Sequence, residues 1–317
     1  MSAGGGTKAI IAALLANLGI AITKFLAFLL TASSSMLAES IHSVADSGNQ
    51  ALLLLGGKRA KRHATAQHPF GYGRERYLYA FIVSIVLFSV GGLFALYEGI
   101  HKIQERHPID KWQWVPVTVL VIAIILESFS LRTAIVESNH VRGNSSWVKF
   151  VRHSRAPELP VVLLEDIGAL LGLVFALFGV GLTLITGDGL WDGIGTIMIG
   201  VLLVAIAVIL AVETKSLLIG ESATAEHVDA IAKAITAGPE AERIIHMKTL
   251  HIGPEELLVA AKIAVHHDDS ADTIAHGIDT IEKRIREAVP IARIIYLEPD
   301  LFSAARAVAD PTPKPVE

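Results

Sequence analysis

The amino-acid sequence predicts an α-helical membrane protein of six transmembrane helices, followed by a small C-terminal α+β cytoplasmic domain. Two observations carry this. Of 317 residues, 52% are hydrophobic and only 18% are charged, against roughly 25% charged in soluble chains. The apolar excess lies before about Gly220, in six windows each long enough to span a bilayer core.

The windows run approximately from Lys8 to Leu30, Met36 to Gly57, Tyr79 to Ile100, Val115 to Ile135, Leu159 to Thr186 and Trp191 to Val212. The first is too long for a signal peptide, and it leads through Ser33-Ser34-Ser35 into a second apolar run. Loop charges orient the set. Lys58, Arg59, Lys61, Arg62, Arg74 and Arg76 follow the second window, and Arg132, Arg142, Lys149, Arg152 and Arg155 end or follow the fourth. The opposite loops carry only Lys102, Arg106 and Lys111. Basic loops stay cytoplasmic, so both termini are expected in the cytoplasm, with Trp112, Trp114 and Trp191 as interfacial anchors on the outer side. The expected address is the cell (plasma) membrane, multi-pass, since the sequence shows no Arg-rich transit segment.

After Gly220 the hydrophobic period changes. A helix near Ala225 to Ala237, strands over Arg243 to Ile252 and Leu257 to His266, a helix from Asp272 to Val289 and a strand from Ala292 to Leu297 follow in order. The order α-β-β-α-β, with Gly253-Pro254 as a hairpin turn, resembles a ferredoxin-like module. The expected domains are therefore 1–220 for the membrane part, 221–302 for the cytoplasmic part, and an Ala/Pro-rich disordered tail over 303–317.

Composition also excludes. A net charge of −4 gives no support for a nucleic-acid partner. Without cysteine there is no thiolate nucleophile, disulfide or Cys-based metal site, so any metal must be held by His and carboxylates. No Ser/His/Asp order and no HExxH motif marks an enzyme.

The informative residues are charges at bilayer depth, where each costs roughly 2.5–3.5 kcal/mol and needs a partner or a wet cavity. In the second window Glu39, His42 and Asp46 stand three and four apart, hence on one helical face, and Asn49 and Gln50 continue the stripe. In the fifth, Glu165 and Asp166 interrupt an apolar run. Adjacent residues diverge by about 100°, so at most one is expected to aim at the His42/Asp46 face, with Asp166 the first choice and Glu165 in support. His42, Asp46 and Asp166, completed by water or Glu39, would make a nitrogen and oxygen site for zinc or another first-row divalent ion. Such ligands must shed protons to bind metal, so the same place is a proton site. Asn17 is expected to support the site or bond between helices, Lys24 to snorkel or pair with a carboxylate, and Glu98 and Glu127 to be solvated or helix-pairing groups near span ends.

These residues resemble the cation diffusion facilitators, proton-coupled exporters of divalent metals. The resemblance rests on the run from Ser34 to Gln50 (SSMLAESIHSVADSGNQ), on His68-Pro69-Phe70-Gly71-Tyr72-Gly73-Arg74-Glu75-Arg76, and on Leu163-Leu164-Glu165-Asp166. The AESIHSVADSGNQ stretch is most similar to the branch holding the mitochondrial zinc transporter 9 type and its bacterial relatives. The resemblance implies Zn²⁺ or a related divalent cation as cargo rather than a prosthetic group, protons as the counter-ion, and a homodimer held through cytoplasmic and transmembrane domains. It implies ligand pairs four apart on the second and fifth helices. The second-helix pair is His42 and Asp46, while on the fifth Asp166 is matched but Val162 stands where a partner is expected, leaving Glu39, Glu165 or water to complete the site. Of a cytoplasmic loop site only His68 remains, beside Thr65 and Tyr72. Of a tail site His246, His276 and Glu298 match, while Lys262 and Tyr296 replace ligands. The run His266-His267-Asp268-Asp269 reads as a solvated turn. Eroded sites of this kind also suit a metal-binding membrane scaffold or sensor that does not transport.

Overall fold

The computed structural model describes residues 4–31, 34–105 and 113–302, and the side chains of 10–26, 29, 43–105 and 113–302 among them. The expected anchor Trp112, the cations Arg106 and Lys111 and the whole of 303–317 lie outside the described residues, as do the side chains of Glu39 and His42. The chain divides into two compact units, Met1–Lys61 with Glu75–Lys215, and Arg62–Arg74 with Ser216–Glu317.

The first unit is helical. Helices α1 (Gly4–Thr31) and α2 (Ser34–Arg59) open it. Then α3 (Glu75–Val86), a π-helical stretch (Leu87–Leu93) and α4 (Phe94–Gln104) run on as one 30-residue helix. Helix α5 (Trp114–Arg142), a short α6 (Trp147–His153), α7 (Glu158–Thr186) and α8 (Leu190–Ile219) complete it. Among the described residues four helices are long and apolar enough to cross a membrane: Glu75–Gln104, α5, α7 and α8. Helix α1 contributes a shorter apolar stretch, Ile10–Leu26. Helix α2 is 26 residues long, and its polar stripe pulls its hydrophobicity well below that of α7 or α8.

Glycines let the helices approach closely, the device membrane helices use where lipid offers no hydrophobic push. A β-carbon on Gly99 would stand 2.8 Å from the Ile197 nitrogen, and one on Gly193 would stand 3.1 Å from the Gly99 carbonyl oxygen. The 30-residue helix and α8 therefore touch backbone to backbone. A core runs from Ile10 and Ala13 of α1 through Leu53, Ala80, Val83 and Ala134 to Val161, Val162, Leu163 and Leu210. The π-helical stretch beside it widens the helix where Leu87 turns inward.

The second unit has the element order read from the sequence: α9 (Ala225–Ile235), β1 (Arg243–Gly253), β2 (Glu256–Ala264), α10 (Ala271–Ala288) and β3 (Ala292–Asp300). Strands lie in the order β1-β2-β3, antiparallel across the β1/β2 hairpin and parallel between β2 and β3, which α10 connects. Leu257, Val259, Ala261 and Ile263 alternate along β2 into a core with Ile231 and Ile235 of α9 and Ile281 and Ile285 of α10. Both helices thus cover one face. Thr224 and Ser270 cap them, each side chain accepting from the backbone N–H three residues on.

Candidate metal centre

Four helices of the membrane unit, α1, α2, α5 and α7, turn polar residues inward. On α1 the buried residues Ile10, Ala13, Asn17, Ile20 and Lys24 recur every three or four positions. On α5 the buried set includes Val119, Ala123, Glu127, Ser130, Ala134 and Ser138. Helix α2 adds Ser43, Asn49 and Gln50, and α7 adds Glu165 and Asp166, all buried. Where the stripes meet lies a cavity of about 70 Å³, lined on its polar side by Asn17, Lys24, Ser43, Asp46, Glu127, Glu165 and Asp166. That volume admits a few waters, or an ion with part of its hydration shell.

The hydrogen bonds assign each α7 carboxylate a neighbour. Asn49 Nδ2 donates to Glu165 Oε1 at 2.7 Å, and Gln50 Nε2 donates to Glu165 Oε2 at 2.9 Å. Ser130 Oγ donates to Asp166 Oδ2 at 2.8 Å. The two acids share the cavity while pointing apart: Glu165 engages α2 and Asp166 engages α5. From the sequence, Asp166 is expected to aim at the α2 face with Glu165 in support; here Glu165 makes the hydrogen bonds to α2, and both acids line the cavity with Asp46. Lys24 Nζ donates to Ser43 Oγ at 3.1 Å, so the ammonium is held inside and does not snorkel. Asn49 Oδ1 and Gln50 Oε1 are buried without a hydrogen-bond partner among the described residues, acceptors that a water or a cation can use.

Asp46, Glu165 and Asp166 are therefore brought to one cavity. His42 lies one turn before Asp46 on α2 and Glu39 nearly one turn earlier, both with side chains outside the described ones. Among the described residues no three His, Asp or Glu side chains converge as a ready-made metal cage. Val162 is wholly buried in the apolar core and offers packing only.

Glu127 was expected near a span end. It lies in the middle of α5, is 1% exposed, and lines the cavity. The signal that places it is the spacing of Ala123, Glu127, Ser130 and Ala134, a small and polar stripe of the kind that marks an interior helix face.

The accessory positions hold other chemistry. In the loop, the His68 ring packs edge-on to Tyr72 at 4.7 Å, and the Tyr72 hydroxyl lies 3.3 Å from Thr65 Oγ1. In the tail, His246 of β1 pairs across the strands with Lys262, whose Nζ is 2.8 Å from Glu298 Oε1 and 3.4 Å from Asp300 Oδ2. The bond to Glu298, above all, raises the lysine's basicity. His276 stands exposed on α10, 3.7 Å from Asp272. His266 Nδ1 meets Glu242 at 2.9 Å while its backbone N–H is bonded to Asp269, so this stretch is a turn closed by its own side chains.

Residues 10–219 match the family model of the cation efflux transmembrane domain. The chain belongs to the cation efflux family. The family is one of membrane transporters and not of enzymes, with the cation as cargo. The mitochondrial proton-coupled zinc antiporter SLC30A9 of Xenopus laevis is 29% identical over 317 aligned residues, covering 87% of this chain and 56% of the relative. The human protein of the same name is 28% identical, covering 87% and 55%. The zinc transporter ZitB of Pectobacterium atrosepticum is 26% identical over 269 residues, covering 84% of this chain and 79% of that one. This cation efflux member thus spans about half the length of the SLC30A9 proteins it matches.

Proposed function

We propose that this chain moves a divalent cation, Zn²⁺ in the first place, out of the cytoplasm in exchange for protons. The observation that carries the reading is one buried cavity, between α1, α2, α5 and α7, that gathers Asp46, Glu127, Glu165 and Asp166 around a single lysine. Four carboxylates with one ammonium leave three negative charges uncompensated, which one dication with a proton, or protons alone, would balance. His42, Asp46 and Asp166 are the ligands we assign, with Glu39, Glu165 or the newly placed Glu127 completing the set. Glu165 is already held through both oxygens, so it suits a positioning role. Lys24 is the resident cation against which an entering ion must compete. Helices α1 and α2 join the four longer helices as six spans over 1–220, and 221–302 is a ferredoxin-like cytoplasmic module serving a homodimer. The names of the SLC30A9 and ZitB relatives support zinc, and the former support proton coupling. For the membrane, the mitochondrial names of the SLC30A9 relatives favour an organelle over the plasma membrane read from the sequence.

The test is zinc flux into sealed proteoliposomes under an imposed pH gradient. Wild-type flux should collapse with the gradient and with Asp46→Asn or Asp166→Asn; undiminished flux in either variant removes that residue from the site. Val162 favours a second reading, a scaffold that binds metal without moving it. Flux above that of empty vesicles excludes it.

A further inference from the structure

Away from the carboxylate cavity, the first unit carries a second and larger one. It measures about 690 Å³ and lies between the short helix α6 and the flanks of α5, α7 and α8. Its walls are apolar: Ile135, Trp147, Val151, Leu164, Ile167 and Val208 are representative, and Arg152 and Glu213 are its charged lining residues. Trp147, Val148, Val208, Ile209 and Val212 around it are 38–69% exposed. On helices that cross a membrane, such a surface faces acyl chains rather than water.

Charge says which lipid. From Ser138 to Pro157 the chain carries Arg142, Lys149, Arg152 and Arg155 and no acidic residue. Glu137 and Glu158 flank this stretch; Glu158 accepts from Arg76, and Glu213 lies 3.6 Å from Arg152. The Arg152 side chain nonetheless remains 67% exposed. Helix α6 places Trp147, Val148, Val151 and Arg152 on the cavity, and Lys149 stands three residues before Arg152, nearly one helical turn away. The Arg142 guanidinium lies 4.2 Å over the Trp147 ring, fixing that aromatic at the level of the helix ends. An apolar slot between membrane helices, rimmed by cations at the membrane surface, is the arrangement that recognises an anionic headgroup above an acyl chain.

We propose that this cavity binds an anionic phospholipid, one acyl chain lying between α6 and α7/α8 and the headgroup meeting Lys149 and Arg152. The site is separate from the carboxylate cavity, and its readout is bound lipid, so it stands or falls independently of transport.

The full chain, purified in mild detergent, is titrated with phosphatidylglycerol and with phosphatidylcholine of identical chains, and bound lipid is counted by native mass spectrometry. Wild type should retain phosphatidylglycerol roughly 10- to 30-fold more tightly, the preference expected of two interfacial cations. The pair Lys149→Gln and Arg152→Gln should abolish the preference while phosphatidylcholine binding is unchanged. Val208→Trp, which fills the slot from the side, should lower retention of both lipids. Unchanged helicity and elution of each variant show that it is folded. Equal retention of the two lipids by wild type overturns the proposal, as does an undiminished preference in the double variant. A Val208→Trp variant that loses dimer mass and keeps its lipid also overturns it, by showing that a second copy fills the slot.

Discussion

Two clusters of the same ionisable residues, one in each unit, have opposite electrostatic fates. In the membrane unit Asp46, Glu127, Glu165 and Asp166 share a buried cavity with Lys24. On the open face of the tail sheet Lys262 lies between Glu298 and Asp300, beside His246. The tail cluster is close to balanced and stands near water, which solvates what the ammonium leaves over. The membrane cluster has acids in excess, and burial makes that excess costly until a cation or protons arrive. An excess of buried carboxylate is thus what suits the membrane cluster to the ion uptake we propose, and what the tail's salt link lacks.

The largest effect should come from reducing that excess. Asp166→Asn leaves the Ser130 bond a partner and removes only charge, and zinc flux in proteoliposomes should fall about 100-fold or more, the upper range for disturbing a metal's surroundings. Asn at the Lys262 partner Glu298 should leave flux within about twofold. If the two substitutions act alike, the contrast between the clusters is false. Next in size is Lys24→Gln. Removing the resident ammonium deepens the negative field: a unit charge and a dication about 8 Å apart repel by about 4 kcal/mol at an effective dielectric of 20. Apparent zinc affinity should rise by roughly tenfold or more and release should slow, so both KM and the maximal rate drop. A rise in KM would mean that Lys24 helps to hold the ion's ligands and does not oppose the ion. Glu127→Gln should be milder, about tenfold in affinity if Glu127 completes the ion's surroundings. Wild-type binding by isothermal titration would return Glu127 to the role of a helix-pairing group.

Much of this was legible in the sequence because charge at bilayer depth is rare. The stripe of His42, Asp46, Asn49 and Gln50 and the pair Glu165/Asp166 announced themselves against apolar runs, and the tail's change of period gave all five of its elements in order. Glu127 was missed because it stands alone in its window, and a lone acid carries no periodic partner. The polar neighbour that vouches for it, Ser130, is too ordinary to stand out in an apolar helix. The division of labour between Glu165 and Asp166 was out of reach for a different reason. A helical wheel gives the 100° between them but not where α2 and α5 lie, and those positions depend on contacts distant in sequence. The slot under α6 was illegible altogether, since a cavity belongs to no single element.

The smallest effect isolates a balanced pair with no link to ions at all. Arg284 of α10 donates to Glu240 Oε2 at 2.8 Å, and this bond holds the Glu240 carboxyl below its usual range. A carboxyl whose folded value is depressed stabilises the fold above its unfolded value, near 4.3, and that stabilisation is lost as pH falls through the folded value. Glu240→Gln should therefore reduce the protection of α9 and α10 amides in hydrogen exchange by only about 0.5 kcal/mol at pH 7, as for a mostly solvated pair. Between pH 7 and pH 4 the difference from wild type should shrink. Zinc added at pH 7 should leave the difference unchanged. If zinc alters it, the tail responds to the cation, and the neutral character assigned to its charged clusters fails.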